Sequence, residues 1–134
     1  LNAAAAVCQD AGVAFDALPC VFASALGDGS ISDAIMTALT QPDKPVSPTQ
    51  FHNSVHNAAA GYWSIGAGNM RSSISIAAGD ASFGAGLISA MTRLSSTAPE
   101  VMFVASDMPM PDLLACVPRA GDIGCKHGTG VQNC

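Results

Sequence analysis

Between residues 72 and 91 the chain changes its hydrophobic period abruptly. Ile74 and Ile76 alternate with Ser73 and Ser75, as in a strand. Gly79-Asp80-Ala81-Ser82 breaks that alternation, and Phe83, Leu87, Ile88 and Met91 then recur at helical spacing. The pattern predicts a strand over Ser73 to Ala77 that turns sharply into a helix reaching about Met91. Several α/β enzymes present a nucleophile on such a turn. A residue there meets unpaired N–H groups and the positive end of the helix dipole, which favour negative charge. The residue at this turn is an acid, Asp80.

The rest of the chain alternates in the same way. Asn2 to Val13 is alanine-rich and fits a helix with Gly12 near its end. Leu18 to Ala25 fits a buried strand. Gly27-Asp28-Gly29 is a turn, and Ser30 or Ser32 could cap a helix over Asp33 to Thr40. Gln41 to Pro48 is a proline-rich loop. One long helix is expected from about Pro48 to Ile65, with Ser47 as N-cap and Gly66 to Asn69 ending it. Val101 to Ser106 is a last buried strand. Apolar strands alternating with helices in the order α-β-α-α-β-α-β mean an α/β fold with a mainly parallel sheet covered by helices. Residues 111–134, dominated by proline and glycine at their start and end, read as an irregular tail to a domain over residues 1–110.

Composition narrows the function. At 134 residues the chain can form one domain with a sizeable core. It is 49% hydrophobic but only 11% charged, against about 25% in an ordinary soluble domain. That imbalance points to a partner surface or to a piece of a larger fold. Net charge is −5 and the five Lys and Arg are scattered singly, which argues against a nucleic-acid partner. No apolar run approaches the roughly 20 residues of a membrane span, and no basic, then apolar, export leader is visible. Cys8, Cys20, Cys116, Cys125 and Cys134 are odd in number and widely spaced, so free thiols in a reducing, cytoplasmic compartment are expected. Cys116, Cys125 and His127 lack a CxxC pair and an obvious fourth ligand, so no metal is expected.

Other candidate chemistry is sparse. Ser82, in Asp80-Ala81-Ser82-Phe83-Gly84, falls one glycine short of a nucleophile elbow. His52 and His56 would share one face of the long helix, but no Glu accompanies them as in a metalloprotease motif, and helix-packing or interface hydrogen bonds are expected instead. Gly66 and Gly68 do not directly follow a strand, which weakens a dinucleotide site. Gly84 and Gly86 inside a helix imply that something packs closely against it.

Three segments resemble the N-terminal half of thiolase-like β-ketoacyl synthases, above all a divergent chain-length-factor branch found in aryl-polyene and related polyketide clusters. They are Val21 to Ser24, Ser47 to Gly61, and Ile76 to Phe83. The resemblance covers roughly Leu1 to Met110. It implies a thiolase-like half-fold that is incomplete: the family's first strand should precede Leu1, and the second half, which brings the catalytic histidines of active synthases, is absent.

In active members the turn residue is a cysteine, activated as a thiolate at the helix N-terminus. The resemblance places Asp80 there, which implies a subunit without condensing chemistry. Asp80 could equally be a plain helix cap, and both roles can hold together. The resemblance further implies pairing with an active ketoacyl synthase, or with itself as a dimer, through the edge strand Ser73, Ile74, Ser75, Ile76 and Ala77, whose ladder groups need a partner. The implied substrate is a polyketide or fatty-acyl chain carried as a thioester on acyl carrier protein, and no cofactor is called for. An acyl-transfer or condensing enzyme using Asp80 or Ser82, and an inactive structural fragment, remain open as alternatives.

Overall fold

The computed structural model describes residues 1–96, 98–108 and 111. Its centre is β1, Cys20–Ala23, every residue of which is buried. Strand β2 (Ser73–Ile76) lies on one side and β3 (Met102–Ala105) on the other, both parallel to β1. In register, Cys20 stands between Ser73 and Met102, and Ala23 between Ile76 and Ala105. A strand flanked on both sides and covered on both faces must be apolar throughout, which is why Val21 and Phe22 follow each other without alternation.

Helices cover the two faces unequally. Helices α1 (Asn2–Ala11) and α4 (Ala58–Ala67) take the face to which Cys20 and Phe22 point; Ala4, Cys8, Ala60, Trp63 and Met102 complete that core. Helix α5 (Ser82–Arg93) takes the other, the face of Val21 and Ala23. Helix α1 ends at Gly12, whose left-handed backbone lets its N–H reach the carbonyls of Cys8 and Gln9. Asn69, buried just after α4, donates to the carbonyls of Phe15 (3.0 Å) and Leu18 (2.9 Å), tying that helix end to the approach to β1. Cys8 and Cys20 are free, buried thiols. Burial pushes the Cys20 thiol up, against smaller opposing pulls from the nearby Trp63 and Asn69 N–H groups. Cys116, Cys125, His127 and Cys134 lie outside the described residues, as does nearly all of the tail.

Three local expectations are corrected. Helix α2 begins at Gly29, and its cap is Asp28 rather than Ser30 or Ser32: the Asp28 carboxylate accepts from the backbone N–H groups of Ser30 (3.1 Å) and Ile31 (3.2 Å). The long helix over 48–65 is two helices, α3 (Pro48–Asn53) and α4, although Ser47 and Pro48 do start the first. Ser54 turns back onto the Phe51 carbonyl with both its N–H and its hydroxyl, and His56 is held by the Ser24 carbonyl at 3.0 Å, so residues 54–57 leave the helical path. Of the two glycines in α5, only Gly86 marks close packing. A Cβ there would stand 2.7 Å from the Ala23 Cβ and 2.7 Å from the Phe103 ring, whereas one on Gly84 would meet nothing within 4 Å.

Gly86→Ala is therefore expected to destabilise by about 1–3 kcal/mol through overpacking, while Gly84→Ala stabilises by up to about 1 kcal/mol through helix propensity. Urea denaturation of the two variants checks the opposite signs. The Asp28 carboxyl is held below its usual range, first by the Ser30 hydroxyl and then by backbone N–H groups. A lowered folded pKa contributes stability above the ordinary carboxylate range and loses it as pH falls through the folded value. The urea midpoint should fall more steeply below about pH 4 in the wild type than in Asp28→Asn.

Candidate functional site

The strand-to-helix turn after β2 is built by backbone and by Ser82. Strand β2 ends at Ile76, and Gly79–Ala81 form one 3-10 turn before α5 opens at Ser82. Gly79 has φ +54°, a left-handed backbone that a side chain would strain. Ser82 is only 4% exposed. Its hydroxyl donates to the Gly79 carbonyl at 2.6 Å and accepts from the Ala78 N–H at 2.9 Å, closing the turn across its base.

Asp80 sits where the alternation of the sequence placed it, between the end of β2 and the start of α5, and it is exposed. Its carboxylate makes no capping bond to either helix start, so the plain-cap role belongs to the Ser82 turn instead. The Asp80 carboxylate is exposed at the turn and makes no hydrogen bond among the described residues. Ser82 has the reverse situation: buried, with its hydroxyl both donating and accepting within the turn.

The three strand ends meet at one rim. Ser24, directly after β1, donates its N–H to the Ile76 carbonyl at 3.1 Å and its hydroxyl to Asp107, beyond β3, at 2.9 Å. The Asp107 carboxylate also accepts from the Ala25 N–H at 2.7 Å, and the Ser24 hydroxyl accepts from the Gly27 N–H at 3.0 Å. With His56 on the Ser24 carbonyl, this loop is tied to β2, to β3 and to the α3–α4 junction. In parallel α/β sheets ligands bind beyond the carboxyl ends of the strands, and this rim carries Asp80 on one flank of Ser24 and Asp107 on the other. Sequence reasoning missed Ser24 and Asp107 as a pair. The available signal was a polar residue just past two of the apolar strands, Ser24 directly after β1 and Asp107 two residues beyond β3.

The remaining candidates are dispersed. His52 stacks edge-on against Tyr62, with ring centroids 5.9 Å apart, and His56 serves the rim loop. Both are engaged in packing, as expected, though on different segments. Neither is seen to bond with Ser82, so an elbow-type triad is not assembled among the described residues. Those residues contain no group of three or more His, Cys, Asp or Glu able to hold a metal ion. Gly66 and Gly68 close helix α4 and do not open a strand-to-helix turn. No helix is long and apolar enough to cross a membrane among the described residues. Ser73, Ile74, Ser75 and Ile76 form the outer strand of the sheet, paired only with β1 among the described residues, and Ala77 follows exposed.

Ser82→Ala should cost about 1–2 kcal/mol, because it strips the Ala78 N–H of its acceptor at a nearly buried position. Asp80→Ala should change stability by less than about 0.5 kcal/mol, the scale of an exposed substitution. Paired urea titrations distinguish them.

A family model described as the β-ketoacyl synthase N-terminal domain matches residues 1–132, running on past Pro111. No curated protein matches the chain. Among solved structures, a chain of the ketosynthase ApeO in complex with its chain length factor ApeC, from Xenorhabdus doucetiae, is similar at 31% identity and a TM-score of 0.68. The alignment covers 76% of this chain and 44% of that one, so the present chain spans under half the length of the solved relative. The parallel sheet with helices on both faces, the sharp turn into α5 and the family match over nearly the whole sequence agree: the chain belongs to the β-ketoacyl synthase N-terminal domain family.

Proposed function

We propose that this chain is the N-terminal part of a β-ketoacyl synthase-like subunit of chain-length-factor type, without condensing activity of its own. The observation that carries the proposal is Asp80 on the strand-to-helix turn. In active synthases the family resemblance calls for a cysteine there. A thiolate attacks an acyl thioester and holds the acyl group as a new thioester; a carboxylate at the same place offers no sulfur to carry the chain. The commitment of the Ser82 hydroxyl to the Gly79 carbonyl and the Ala78 N–H supports the same reading, since that hydroxyl is already engaged as donor and acceptor.

In this reading the subunit works in the cytoplasm beside an active ketoacyl synthase, or beside a second copy of itself. The open edge Ser73 to Ala77 would continue the sheet across the interface. The acyl chain would arrive on acyl carrier protein, and the rim at the strand ends would help shape the space that limits its length. The similar solved structure is itself a ketosynthase bound to its chain length factor, which is consistent with a paired assembly.

Incubation with acyl carrier protein thioesters followed by intact-mass spectrometry is expected to show no stable acyl adduct on the chain. Asp80→Cys is expected to keep the fold yet not create a synthase. An adduct on Ser82 or Asp80 of the wild type would overturn the non-condensing assignment in favour of an acyl-transfer enzyme.

A further inference from the structure

Three sulfur atoms from three separate elements meet on the α1 and α4 side of the sheet. Cys8 lies on α1, Cys20 opens β1 and Met102 opens β3; the three residues are 2%, 1% and 5% exposed. The parallel register sets Cys20 directly beside Met102, and all three belong to one buried cluster. The Cys8 thiol donates to the Met102 thioether, with the two sulfurs 3.8 Å apart. Both cysteines are free. Two nitrogen donors approach the Cys20 sulfur. The Asn69 amide nitrogen stands 3.6 Å from it. The Trp63 indole N–H lies near it too, buried and without a proper hydrogen-bond acceptor, because a neutral thiol sulfur accepts only weakly.

We propose that Cys8, Cys20 and Met102 form a three-coordinate site for a soft monovalent ion, Cu(I). Two thiolates and a thioether, with no nitrogen or oxygen ligand, are a donor set that selects Cu(I). In a trigonal site with metal–sulfur bonds of roughly 2.3 Å, the sulfurs stand about 4 Å apart. Cys8 and Met102 already hold nearly that separation. Zinc would ask for a fourth ligand, and among the described residues no His, Asp or Glu joins the two cysteines. Each cysteine exchanges its S–H proton for a bond to the ion, so two protons leave and no electron moves. The Trp63 N–H then gains the acceptor it lacks, since a thiolate sulfur accepts far better than a thiol. With the Asn69 amide it offsets the negative charge left on the buried sulfurs. The apolar surroundings keep water and oxidant from the ion, which holds it in the cuprous state.

No short motif announces the site, because its ligands lie far apart in the chain and only the fold brings them together. A bound ion joins α1 to the first residues of β1 and β3. The trio therefore sits at the amino ends of the strands, whereas Asp80 stands past the carboxyl end of β2. Ion binding is thus separate from the chemistry argued for the strand-to-helix turn.

Because the site is enclosed, the test refolds the 134-residue chain from urea with Cu(I) under ascorbate, and reads affinity by competition with a Cu(I) chelator. Cys116, Cys125 and Cys134 are changed to serine throughout, which leaves Cys8 and Cys20 as the remaining thiols. One ion per chain is expected, with an ultraviolet thiolate-to-copper band, a raised urea midpoint and quenching of Trp63, the chain's one tryptophan. Met102→Leu, a swap of similar volume, and Trp63→Phe, which removes the N–H, should each weaken binding by roughly tenfold or more with unchanged far-UV circular dichroism. Cys20→Ala should abolish it. No bound ion in the serine background, or an affinity indifferent to either Met102→Leu or Cys20→Ala, overturns the proposal. If Cys20→Ala fails to fold, Met102→Leu decides alone. Either result leaves the assignment of a non-condensing subunit to the acyl-adduct measurement.

Discussion

The arrangement of this domain depends on how closely α5 approaches its sheet. At Gly86 the helix backbone comes so near that even one methyl group would collide with Ala23 and the Phe103 ring. That contact fixes the height of α5 above β1 and β3. The height in turn determines how the chain must leave β2: the turn has to be short, it needs the left-handed backbone of Gly79, and it is closed by Ser82 from below. Asp80 is exposed at the rim because Ser82, and not Asp80, points into the space beneath the helix. Packing density at one glycine thus sets which side chain the turn displays.

Much of this was legible from residue order. The change from period two to helical period around Gly79 located β2, the turn and α5, because both flanking elements are amphipathic enough to show their period. The continuous apolar stretch around Val21 and Phe22 signalled a strand buried on both faces. The division between α3 and α4 was not legible. Residues 54–57 have no proline or glycine, and what breaks the helix is partly tertiary: a histidine drawn to the carbonyl of Ser24, far away in sequence. The cap of α2 was obscured for a different reason. Ser30 and Ser32 are good caps by type, but Asp28 stands earlier and reaches the two backbone N–H groups first. The two glycines of α5 look equivalent in sequence; only the position of the sheet separates the one that is required from the one that is open.

The candidate site shows the same division. Asp80 could be placed from local pattern and resemblance, since it belongs to one contiguous segment. The clamp of Ser24 by Asp107 joins two residues that no local pattern connects, and it becomes visible only when the strand ends lie side by side. A carboxylate that bonds both a hydroxyl and the next N–H of a loop holds that loop in one shape. The rim flanking Asp80 is accordingly a rigid frame of two exposed carboxylates, Asp107 bonded to the loop and Asp80 not.

The parallel pairing has a consequence for synthesis of the chain. Cys20 joins Ser73 on one side and Met102 on the other, so both partners of the central strand lie far from it along the chain. Such non-local pairing slows folding, because a long loop must close before any ladder bond forms. While the chain grows from its N-terminus, β1 emerges as a bare apolar segment and waits for β2 and then β3 to be translated. During that interval Val21 and Phe22 have no native sheet to enter. Through that delay a nascent chain of this topology is a natural client for a holding chaperone, whatever its activity once folded.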